Sequence, residues 1–441
     1  MHSKLCSFAS ALSVVCAASL SAQTRPPITP VSAVRASSTD SLGSITNIRA
    51  LPGGRLLVND ASNRRVLLLD STLKTLSVVA DSTSSTANAY GPRSGTLIAY
   101  RGDSTLFVDA ASLSMLVIDP DGKIARVMSV PRAQDAMMIT GNIFGGASYD
   151  GAGRLVYRGM PGLQMRTMSS PGGSGGAPPA PPQVPDSMPI VRVDLATRKV
   201  DTVAFVKIPR TNTQISRGED GTMTINIEVN PLPVVDEWAM LKDGTIGIIR
   251  GKDYHVEWMT PDGTRNTSPK IAFDWKRLSD EQKAEFLDSV KVQRERIVAA
   301  APPGQGGAAA LGAAVSGATG GAPPQMRMEF RTSGPGGAPT AMSAPRMNMT
   351  YVSPSELPDY QPVFLANSAK ADEDGNIWVR TLPTKPVPGG AVYDLIGRNG
   401  DVQRRVQLPE NRTLVGFGTD GVVFLGVREG TITRLERTTL H

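Results

Sequence analysis

A turn followed by a short apolar strand returns six times along the chain: LPGGRLLV (51–58), RGDSTLFV (101–108), DGAGRLVY (150–157), LKDGTIGII (241–249), DEDGNIWV (372–379) and GTDGVVFL (418–425). Gly accepts positive φ without a Cβ clash and Asp can bond its neighbouring backbone, so these residues suit tight hairpins. Where nothing intervenes the turns lie about 50 residues apart. The acids of ADEDGNIWVR (371–380) therefore read as part of a turn, because the sibling segments keep the turn and lose the acids. A second series at the same phase, LLLDST (67–72), VIDPDG (117–122), VDLATRK (193–199), WMTPDG (258–263) and LIGRNG (395–400), gives four strands and two tight turns per unit.

Four strands repeated at this period predict an all-β chain, a six-bladed β-propeller. The last unit offers only three strands, so ITPVSAVRA (28–36) is expected to supply the fourth, closing the ring and covering an edge. Within VNDASNRRV (58–66), Val58, Asp60, Asn63, Arg65 and Val66 form a run that resembles an NHL repeat, and DGNIWV is similar to strands of the TolB-like bacterial propellers. The resemblance implies the scaffold and no single activity, since NHL-like propellers include binding modules, sensors and enzymes.

The opening MHSKLCSFASALSVVCAASLSAQ has a positive start at Lys4, an apolar stretch from Leu5 to Ala18 and a small-residue end, the pattern of a cleaved secretory signal over residues 1–22. Its apolar stretch is short of the roughly 20 residues a membrane span needs, and no later segment is longer. Val15 before Cys16 departs from the lipid-anchor pattern. A periplasmic or secreted monomer is expected, with residues 23–441 as one domain. Cys6 and Cys16 both leave with the signal, so the mature chain has neither a disulfide nor a thiol site. It keeps 45 basic against 40 acidic residues, a net charge of +5, dispersed without the basic stripe that nucleic acid would require.

Three insertions interrupt the repeat, at 159–188, 209–233 and 274–358, the second holding a short strand at MTINIEV. The third, between blades 4 and 5, opens with a helix: Ser279 and Gln282 form a capping box, and Phe286, Leu287, Val290 and Ile297 a stripe. After Ala301 it turns Gly/Pro/Ala-rich and reads as disordered. All three insertions fall at second-to-third-strand or blade-to-blade connections, which emerge on one face of a propeller, so that face is the expected binding surface.

At the ends of the second strands stand Asn59, Asp109, Arg158, Arg250, Arg380 and Arg428. Were second strands nearest the funnel, four arginines would ring its mouth, and their planar donor forks match carboxylate or phosphate. The expectation is an exported, non-catalytic propeller binding an anionic small molecule, a glycan or an acidic protein segment, without cofactor or metal. Two alternatives stay open: a calcium-dependent lactonase or hydrolase to which Asp109 and Asn59 could contribute, and a scaffold that docks proteins through the inserted helix. The mature chain holds two histidines, His255 and His441, which gives His-based triads and metal clusters little support. Trp238, in VDEWAML, reads as core of an inner strand.

Overall fold

The computed structural model describes residues 25–83, 89–140, 145–160, 185–217, 223–299, 346–430 and 432–440. The signal segment, most of the first insertion and the Gly/Pro/Ala-rich tract lie outside these residues. The chain forms consecutive antiparallel sheets, numbered here in chain order. Their first strands are Ile45–Ala50, Thr96–Ala99, Ser148–Tyr149, Glu237–Met240, Ala369–Ala371 and Arg412–Phe417. First strands pack against first strands, the second sheet's against those of the first and third, the fourth's against the fifth's and the sixth's against the first's, so they lie nearest a common axis. This is the layout of a β-propeller. Second strands stand one layer further out, which corrects the expectation that they border the funnel.

Period-two alternation explains the packing, because each second strand is buried on both faces. Leu57 joins Phe107 and Leu116 between the first and second sheets, whereas Val58 joins Val415 and Phe424 between the sixth and the first. Equivalent apolar cores separate the second and third, third and fourth, fourth and fifth, and fifth and sixth sheets. Trp238 belongs to the core between the third and fourth sheets and is 2% exposed.

The recurrent turn is held by an aspartate. Asp372 Oδ1 accepts the amides of Asp374 and Asn376 at 3.0 and 2.8 Å, and its Oδ2 accepts Trp378 Nε1 at 3.0 Å. Asp70, Asp119 and Asp150 accept amides two and four residues on in the same way. Gly375 has φ +88°, a conformation that side chains with a Cβ rarely adopt. Asp374 reaches across to the amides of Asp420 and Gly421, tying the fifth sheet's turn to the sixth's.

The N-terminal segment divides between two sheets. Ile28–Pro30 pairs in parallel with Val402–Gln407, the fourth strand of the fifth sheet, and Ala36–Ser37 pairs antiparallel with Ile432–Thr439 of the sixth. From Ser32 the chain already follows the sixth sheet, its amide donating to Thr439 O at 3.0 Å. The expected strand at 28–36 is thus a shorter one at 36–37, preceded by an addition to the neighbouring edge. Pro30 suits that outer position, where no ladder donor is required of it.

The second and third insertions combine. Thr211–Arg217, Met223–Val229 and Arg346–Tyr351 make a three-stranded sheet, and Asp280–Ala299 is a 20-residue helix. Its capping box is in place: the Gln282 amide donates to Ser279 Oγ at 3.3 Å, and the Ser279 amide to Gln282 Oε1 at 3.1 Å. Leu287 packs with Leu232, Leu357 and Leu365 from the two connections, with Phe286 beside them.

Candidate functional site

The ends of the second strands do not present four free guanidinium groups. Arg158, in the third sheet's second strand (Arg154–Arg158), is 2% exposed and points between sheets, its Nη2 3.8 Å from Glu237 Oε1. Arg250, at the end of the fourth sheet's second strand (Ile246–Arg250), donates to Asp236 Oδ2 at 2.8 Å and to both Glu257 oxygens at 2.9 and 2.7 Å. Arg380, half-buried opposite Tyr393, is engaged within the protein. Arg428 is exposed, with its Nε donating to Gly430 O at 3.1 Å.

Asn59 and Asp109 flank the segment Tyr90–Gly91. Asn59 donates to Thr46 Oγ1 and Gly95 O, both at 2.7 Å, and accepts Tyr90 Oη at 2.8 Å. Asp109 accepts the Ala111 amide at 3.0 Å and Ser112 Oγ at 2.7 Å. Both side chains are buried, Asn59 committed to the first strand and to the connection into the second sheet, Asp109 to its own turn. Among the described residues no group of three or more His, Cys, Asp or Glu comes together as a metal site.

Two of the six residues meet at consecutive acids that sequence reasoning did not single out. Asp236 precedes and Glu237 opens the fourth sheet's first strand, Asp236 facing Arg250 and Glu237 facing Arg158. Glu237 is fully buried. Its Oε1 accepts the Asn367 amide at 3.0 Å, from the connection that leads into the fifth sheet. Burial pushes the carboxyl up to about 7, against the opposing pull of Arg158 and of backbone amides. Burial likewise lowers Arg158 from the ordinary guanidinium value. Glu237 Oε2, Arg158 Nε and Arg158 Nη2 are buried without a hydrogen-bond partner among the described residues. Leaving such groups unmade is costly, and they mark a place where polar chemistry outweighs packing.

Glu237 had a signal in the sequence. It is a charged residue between Asp236 and Trp238 in a strand whose every residue is buried. An acid at such a position is costly unless paired, and reading the strand only for its tryptophan passed over it. His255 sits at the rim, its Nδ1 2.9 Å from Asp253 Oδ1.

No protein-family model and no curated protein matches the chain. Solved structures do. A gluconolactonase from Xanthomonas campestris is similar at 11% identity over 95% of this chain and 99% of its own, with a TM-score of 0.36. A calcium-binding regucalcin from Agrobacterium tumefaciens is similar at 12% identity over 94% and 97%, TM-score 0.38. Virginiamycin B lyase from Staphylococcus aureus is similar at 9% identity over 92% and 98%, TM-score 0.34. The expectation of a non-catalytic anion binder is corrected: the arginines that carried it are engaged inside the protein or by their own loops.

Proposed function

We propose that this chain is an exported, monomeric hydrolase of small lactones or esters, built on a six-bladed propeller that its N-terminal segment closes and that is related to the NHL-repeat and TolB-like group. Residues 1–22 are its signal peptide, and residues 23–441 form one domain acting in the periplasm or outside the cell, without nucleic acid. The observation that carries the reading is Glu237, a buried carboxyl poised at about 7 beside an arginine with unbonded donors. A general base works best when its pKa lies near the operating pH.

In the ionised form Glu237 takes a proton from water as the water oxygen attacks the acyl carbon. Arg158 donates to the carbonyl oxygen as negative charge develops there. The acyl C–O bond then breaks, and the departing alkoxide takes the proton back from Glu237. No step is routed through calcium.

The test is hydrolysis of a panel of small lactones and p-nitrophenyl acetate by the mature protein. Glu237→Gln is expected to lower kcat/KM by at least about 100-fold, and the wild-type profile to rise with pH through about 7. Activity is expected to persist after chelation with EDTA. An inactive wild type, or a Glu237→Gln variant as active as the parent, would overturn the proposal.

A further inference from the structure

Lys370 is the central residue of the fifth sheet's three-residue first strand, Ala369–Ala371. Its neighbours Ala369 and Ala371 pack into the core between the fourth and fifth sheets with Ile377 and Val379. Strand alternation sends Lys370 to the opposite face. There it is paired across the ladder with Trp378, whose ring lies 4.9 Å from that of Phe417 in the sixth sheet. First strands lie nearest the axis, so the lysine stands beside Trp378 on the inner layer, half-buried rather than sealed.

No hydrogen bond or ion pair holds it among the described residues. The acids that follow it are spent elsewhere, Asp372 on its own turn and Trp378, Glu373 on Arg49 at 3.5 Å and Lys242 at 3.4 Å. On the sixth sheet's first strand Arg412 is paired with Glu436. In the fifth sheet Asp394 is held by Arg25, Arg405 and Tyr254, and Arg380 is already engaged. Burial alone acts on the ammonium and lowers its pKa from the ordinary lysine value.

We propose that Lys370 is a carbonyl-reactive amine, a site at which a small aldehyde or ketone condenses on the inner layer of the propeller. A desolvated lysine without a counter-charge is the form of this residue that acts as a nucleophile. The amine lone pair attacks the carbonyl carbon, the oxygen takes a proton, and the carbinolamine loses water to leave an imine. Nothing is oxidised or reduced, and hydrolysis of the imine returns the amine.

The experiment is limited reductive alkylation of the mature protein with propanal and sodium cyanoborohydride at pH 7, followed by peptide mapping. Lys370 is expected to react faster per site than Lys199, whose side chain is 73% exposed. Lys370→Arg should remove that label and leave the labelling of Lys199 unchanged. The two lysines of the wild-type chain compete in one tube, so the result does not depend on how the variant folds. Labelling that follows exposure, with Lys199 reacting as fast as Lys370 or faster, would overturn the proposal.

Discussion

At the scale of single residues, Glu237 makes stability depend on pH with a definite sign. Its folded pKa of about 7 is above the ordinary 4.5, so the native state holds the proton more tightly than the unfolded chain does. Stability from this group is full below about 4.5 and is lost as pH rises through about 7. The difference corresponds to on the order of 3 kcal/mol. Urea unfolding between pH 5 and pH 8 should show a decline that the double variant Glu237→Gln/Arg158→Met lacks. Asp372 makes a separate prediction. Asp372→Ala leaves two turn amides and the indole of buried Trp378 without an acceptor, and should cost about 2–3 kcal/mol in the same assay. That the acids of ADEDGNIWVR form a turn was legible because the sibling segments share their geometry. The role of Glu237 was not, since an acid's partners come from other sheets, here Arg158 and Asn367, far away in sequence.

At the scale of strands and helices, the outer strand of the third sheet, Val200–Lys207, shows how an edge is protected. A cleft of about 530 Å³ separates it from the fourth sheet, lined in part by Phe205, which is 57% exposed. Arg265 Nη2 donates to Val203 O at 2.9 Å and Arg250 Nη1 to Phe205 O at 3.0 Å, so charged side chains occupy carbonyls that another strand could otherwise seek. Arg265→Ala should increase aggregation on mild heating, measured by light scattering, with little change in the urea midpoint. The inserted helix was readable from its cap and stripe because both are local. Two residues of that stripe, Phe286 and Leu287, pack against Leu232, Leu357 and Leu365. Ser279→Ala should cost about 1 kcal/mol through loss of the cap.

Across the whole molecule, repeat spacing revealed the order of sheets because every unit buries both faces against its neighbours, which imposes the same pattern each time. Spacing could not reveal which strand lies innermost, and the arginine ring rested on that choice. Nor could it show that the N-terminal segment splits between two sheets. That segment is pinned further by Arg25, whose Nη2 lies 3.1 Å from the Asp394 carboxylate and whose guanidinium lies 4.8 Å over the Phe273 ring. Asp394 keeps Arg405 and Tyr254 when Arg25 is replaced, so Arg25→Ala should cost about 1–3 kcal/mol.

The pairing of Ala36–Ser37 with Arg437 and Glu436 has a consequence in time. Ala36–Ser37 is made long before the strand it pairs with, and it has no ladder to join until that strand follows. The sixth sheet is therefore the last of the six to be completed, and one of its strands waits for the others.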